Sequence, residues 1–161
     1  MAFGTGPAAI KDIARKYLAS APGIDTGTQL ASVMEDPRPV FNPDRRPHSW
    51  LVGVSVKGRL VGFVQVLLDG IVMRYSMFPL VSDRGSEESG AEWLNPARAR
   101  KRIARAAPEG EIVDGPFLSF DRSPDRLVWA AVVKTRDGMK RMMFAAGKSV
   151  YEAPARRDTF G

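Results

Sequence analysis

His48 is the only histidine in the chain, so any Ser-His-Asp set would have to move its proton through that ring. It stands between Pro47 and Ser49, at the entrance to an apolar run. A lone loop histidine usually has a structural or solvating role, and no second group at a telling spacing accompanies it. Metal chemistry has no better footing. Cysteine is absent, and no spaced set of carboxylates completes a ligand shell around one histidine. Glu87-Glu88 lies in a Ser/Gly-rich stretch, where acids commonly keep a loop soluble. The glycines punctuate short apolar runs and lack the strand-to-helix setting of a phosphate cradle. These residues argue against an enzyme and imply no cofactor.

Binding chemistry has more to work with. On a helical wheel Arg98, Lys101, Arg102 and Arg105 share one side, while Arg100 projects elsewhere. Such a face can contact phosphates or an acidic partner, although a merely solvated arginine face would look the same. Met139, Met142 and Met143 precede Phe144 in a soft apolar cluster, and methionine adapts to irregular partners. That cluster is a candidate protein interface, with sheet core as the plainer reading. The tail from Pro154 adds Arg156, Arg157 and Phe160, a short linear segment that could dock on another subunit. Phe63, Tyr75, Phe117 and Phe120 could stack bases if exposed, but core packing explains most of them better.

The net charge of +6 suits anionic partners such as nucleic acid, acidic lipid or an acidic protein. No apolar run reaches the 18 or so residues of a membrane span. The first seven residues have neither a basic n-region nor an apolar h-region. The cytoplasm is therefore the default compartment, with a processed extracytoplasmic form left open.

The elements that must position these groups follow from periodicity. From Pro7, residues Ile10, Ile13, Ala14, Tyr17, Leu18 and Ala21 form one helical face, which Pro22-Gly23 ends. A short helix is expected over Gln29–Glu35, capped by Thr26 or Thr28. Prolines 37, 39, 43 and 47 then allow no more than an edge strand near Val40-Phe41. Ser49 to Ser76 holds three apolar runs parted by Lys57-Gly58 and Asp69-Gly70, which predicts a three-stranded antiparallel meander. Trp50, Val52, Val54 and Val56 share one of its faces. A two-residue turn at Lys57-Gly58 would set Gly53 opposite Gly62.

Residues 81–92 form a polar linker, and Asn95-Pro96 starts a helix that runs to about Ala107. On that helix Ala99, Ile103, Ala106 and Ala107 share a side. Short extended pieces follow around Asp114-Gly115-Pro116. Leu127 to Thr135 and Met139 to Phe144 form strands about the Asp137-Gly138 hairpin, and Gly147-Lys148 turns into a closing strand over Ser149–Glu152.

The two halves repeat an order of parts: helix, irregular stretch, Trp-bearing strand (Trp50, Trp129), Gly turn (Gly58, Gly138), return strand, second Gly turn (Gly70, Gly147) and last strand. Matched landmarks lie about 80 residues apart. The stretch from Leu127 to Ala153, with the helix around Ala97–Ala107 before it, resembles the closing hairpins of a PepSY-like domain, in the cystatin-like style. The first half resembles it more weakly. Where the family often carries an acid shortly before the final turn glycine, this chain has Ala145-Ala146.

The resemblance implies a non-catalytic module concerned with peptidase inhibition or protein interaction, and it transfers no catalytic residue. The expected fold is α+β: two helix-plus-antiparallel-meander units, with helices packed on one face of curved antiparallel sheet. Their bounds are 1–80 and 93–153, with the linker at 81–92 and a tail at 154–161. The expected function is a non-enzymatic protein-binding or accessory subunit that presents a sheet face or edge and its tail to a protein partner, in a larger assembly or a homo-oligomer. A peptidase-inhibitory module is one alternative, and an electrostatic nucleic-acid binder working through Arg98–Arg105 is the other.

Overall fold

The computed structural model describes residues 4–77 and 89–154. Among the described residues the architecture is mixed, with four helices and nine strands. The chain divides into two compact units, Met1–Asn95 and Pro96–Gly161. Among the described residues, no helix is long and apolar enough to cross a membrane.

In the first unit α1 spans Pro7–Ser20, with proline in its first turn, where the missing N–H has no intrahelical partner to lose. Ile10, Ala14 and Leu18 recur every fourth residue and are buried. They pack with Met34, Trp50, Val52, Val54, Val64 and Val66 in one core cluster. Full burial of an aliphatic side chain of this size contributes roughly 1.5–3 kcal/mol. On the outer side Asp12 lies 3.3 Å from Arg15 and 3.1 Å from Lys16.

Helix α2 covers only Thr26–Ala31, and Asp25, not a threonine, caps it by accepting from Thr28 N. The helix expected to reach Glu35 ends early because Ser32–Met34 is β1, paired with Ser55, Val56 and Val54 of β3. That pairing buries Met34 in the core, which a short isolated helix could not match. The proline-rich stretch supplies β2 (Arg38–Phe41), also paired to β3.

Strands β3 (Pro47–Val56), β4 (Arg59–Leu67) and β5 (Val72–Met77) form the expected antiparallel meander. Lys57 and Gly58 both have positive φ, as a two-residue hairpin turn requires. The facing of Gly53 and Gly62 does not survive. Val56 pairs with Arg59 and Ser55 with Leu60, but Val54 then pairs with Gly62 and Gly53 with Phe63. Val61 is the extra residue of a bulge. Because side chains alternate, the unbulged register would have turned Gln65 into the core and Val64 and Val66 away from it. Each glycine instead admits its own neighbour: a Cβ on Gly53 would lie 2.8 Å from Glu35 Oε2, and one on Gly62 would lie 2.6 Å from the Ser76 carbonyl.

Helix α3 (Gly90–Trp93) opens with a capping box formed by Ser89 and Glu92. The buried Leu94 follows it. Arg38, on the sheet face it shares with Leu51, donates to the Leu94 carbonyl at 3.0 Å. Both faces of this sheet are therefore covered, α1 on one and Leu94 on the other. This corrects the expectation of helices on a single face.

In the second unit α4 spans Pro96–Ala106, with Ala99 and Ile103 buried. Strands β6 (Glu111–Phe120), β7 (Leu127–Lys134), β8 (Lys140–Ala146) and β9 (Ser149–Glu152) lie in sequential antiparallel order. The expected short pieces around Asp114 are one strand. Its register slips on either side of Asp114, at a place where Gly115 has φ +92° and a Cβ would meet the Ala130 carbonyl at 2.7 Å.

Candidate functional site

Helix α4 presents its cations unequally. Arg98 and Arg102 are half-buried, whereas Lys101 and Arg105 are exposed. The Arg102 guanidinium donates to the Gly147 carbonyl in the β8–β9 turn. This contact ties the helix to the hairpin. It leaves a groove of about 490 Å³ lined by Arg102, Arg105, Ala106, Lys148 and Val150. Among the described residues, neither Arg105 nor Lys148 joins an ion pair within 4.0 Å. The lining thus sets two small apolar residues, Ala106 and Val150, beside the cations Arg102, Arg105 and Lys148. Lys148 and Val150 were not among the residues singled out from sequence. The basic helix face was legible, but its partner on the hairpin is separated from it by three strands.

Strand β9 is firmly held. The Tyr151 ring meets Phe144 edge-on at 5.9 Å, and its hydroxyl donates to Asp121 Oδ2 at 2.8 Å. Burial, and then the Asp121 contact, raise the Tyr151 hydroxyl above the ordinary phenol range.

The other sequence candidates are dispersed. Met142 and Met143 are consecutive on β8 and point to opposite faces. Met139 precedes the strand and is exposed, so the three do not form one surface. Arg156, Arg157 and Phe160 lie outside the described residues. Phe63, Phe117 and Phe120 are buried and offer no open ring for a base.

His48 belongs to a polar row in the first unit. Arg74 Nε donates to Gln65 Oε1 at 3.1 Å, Gln65 Nε2 donates to Ser49 Oγ at 2.9 Å, and Ser49 Oγ lies 3.0 Å from His48 Nδ1. Ser49 and Gln65 are fully buried, so the serine oxygen is closed to a substrate carbonyl. Burial lowers the His48 imidazole below its ordinary range. The row was not legible as a site, because its members come from three strands with no shared motif.

A second groove, of about 520 Å³, is lined by Lys11, Glu35, Asp36, Pro37 and Arg38. Its charges are mixed, and Lys11 lies 3.3 Å from Asp36. Among the described residues no group of three or more His, Asp or Glu side chains converges as a metal site would need. What fold and groove together define is an α+β protein whose second unit carries a cationic groove beside its last strand. Comparison with protein-family models, with curated proteins and with solved structures finds no match.

Proposed function

We propose that the chain is a non-enzymatic binding module, an accessory subunit that takes an acidic segment of a protein partner in the groove between α4 and the β8–β9 hairpin. The observation that carries this is that Arg105 and Lys148 line one groove together with Val150 and Ala106. Cations at the groove steer and orient an acidic chain, and its apolar lining residues accept aliphatic side chains. The burial of Phe63, Phe117 and Phe120 favours a peptide over single-stranded nucleic acid, which binds through exposed stacking rings as well as charge. We further propose that the chain is kin to PepSY-like and cystatin-like modules and that its halves arose by duplication. That kinship agrees with a non-catalytic role.

The test titrates the full chain with a capped octapeptide of alternating glutamate and valine, and separately with a single-stranded oligonucleotide. The peptide is expected to bind, and the double charge reversal Arg105→Glu with Lys148→Glu to weaken it by about tenfold or more. Peptide binding indifferent to that reversal overturns the proposal. So does tighter oligonucleotide binding with a steep salt slope.

A further inference from the structure

We infer that the partner enters this groove as an added β-strand along β9, pairing with the outward backbone groups of Val150 and Glu152 while its acidic side chains meet Lys148 and Arg105. The inference rests on the binding reading above and specifies its mode.

Among the described residues, strand β9 is the last in the order of its sheet. Its register with β8 determines which of its amides face outward. The Gly147-Lys148 turn closes on the pair Ala146 and Ser149, and Phe144 pairs with Tyr151. Beyond them Ala153 N donates to Met142 O at 2.8 Å. In an antiparallel ladder, bonded and non-bonded pairs alternate. Ser149, Tyr151 and Ala153 therefore direct their N–H and C=O groups at β8, and Val150 and Glu152 direct theirs away. Val150 is also a wall of the groove. The edge amides and the groove's cations thus belong to one place.

Open edges invite pairing, and folds usually blunt them. Here the edge is short, which limits promiscuous pairing, and it is held rigid by the Tyr151 and Arg102 contacts. Little ordering of the protein is then needed on binding. Main-chain bonds supply affinity in such strand addition, and the side-chain surroundings supply selectivity. The charge along the edge is polar. Lys148 stands at the turn, while Glu152, 3.6 Å from Arg141, stands at the far end. The carboxylates that contribute to binding are accordingly those nearest the turn.

The experiment uses the full chain and the same Glu/Val octapeptide, alongside a version N-methylated at alternate residues in each of the two registers. Val150→Pro provides the protein-side probe: it removes an outward donor, which edge strands tolerate, and Val150→Ala, which alters the groove-lining side chain but keeps the N–H, is its control. Strand addition predicts that one N-methylated register and Val150→Pro each weaken binding by about tenfold or more, with far-UV circular dichroism unchanged for the variant. The methylated peptides need no change to the protein, so the outcome does not depend on how the variant folds. Binding that responds to Arg105→Glu with Lys148→Glu but not to N-methylation overturns strand addition and leaves the acidic-groove reading standing. Binding that responds to neither overturns both. A dimer of the chain that dissociates on Val150→Pro also overturns the inference, by showing that β9 pairs with a second copy.

Discussion

Gln65 Nε2 donates to Ser49 Oγ across 2.9 Å with both residues fully buried. The two stand on neighbouring strands, β4 and β3, diagonal to one another in register. Arg74 feeds the same amide from β5, so three strands are linked by side chains as well as by their backbones. A buried polar group left without a partner costs about 1–3 kcal/mol. Gln65→Leu and Ser49→Ala should each destabilise by that order in urea unfolding. The double variant should lose less than the sum, with a coupling of about 0.5–3 kcal/mol. Additivity within about 0.3 kcal/mol would show that the hydrogen bond contributes nothing of its own.

The row ends at His48, and its direction sets a pH dependence. Gln65 donates into the Ser49 oxygen, so the serine proton is available for His48 Nδ1, which suits a neutral ring protonated on Nε2. Burial lowers the folded-state pKa of this ring below its ordinary 6.5. The unfolded chain therefore binds the proton more readily, and stability rises with pH across the interval between the two values. The contribution is complete above the unfolded value and is lost as pH falls below it toward the folded one. The thermal midpoint should drop between pH 7.5 and pH 5.5 by more in the native chain than in His48→Gln. Equal drops would place the pH response on the carboxylates alone.

Gly115 should tolerate substitution least among the positive-φ glycines of the second unit. Its φ is +92° and a Cβ would press on the Ala130 carbonyl at 2.7 Å, whereas Gly138 has φ +83° with nothing within 4 Å. Gly138→Ala carries only the left-handed backbone cost, about 1–2 kcal/mol. Gly115→Ala adds a backbone clash inside a sheet and should cost about 2–5 kcal/mol. Denaturant midpoints compare the two directly. Similar values would mean that β6 and β7 part easily at the register slip.

What the sequence revealed was mostly local. The Lys57-Gly58 and Asp137-Gly138 turns announce themselves because Gly58 and Gly138 hold positive φ. The α1 face is legible because Ile10, Ala14 and Leu18 repeat at helical spacing. What stayed hidden depends on distant demands. The bulge at Val61 turns Val64 and Val66 toward the α1 core and Gln65 to the opposite, also buried, face, which no local propensity specifies. Ser32–Met34 becomes a strand only because β3 offers an edge for it. The polar row and the cationic groove are built in the same way, from residues that meet only once the sheets have formed. Arg105 was visible from its helix, but its companionship with Lys148 was not.

Arg102 and Arg105 divide structural and binding roles between them, one turn apart on α4. Arg102 is half-buried and donates to the Gly147 carbonyl, so it carries the helix-to-hairpin contact. Its replacement by alanine removes a charge-assisted hydrogen bond and should cost about 1–3 kcal/mol of stability. Arg105 is exposed and lines the groove, so Arg105→Ala should change stability by no more than about 0.5 kcal/mol. In peptide titrations the order of effect on the intact fold reverses: Arg105→Ala weakens the acidic octapeptide without moving the unfolding midpoint. Should Arg105→Ala instead destabilise the chain as much as Arg102→Ala, the exposed arginine would be a structural strut and the groove's binding charge would be left to Lys148 alone.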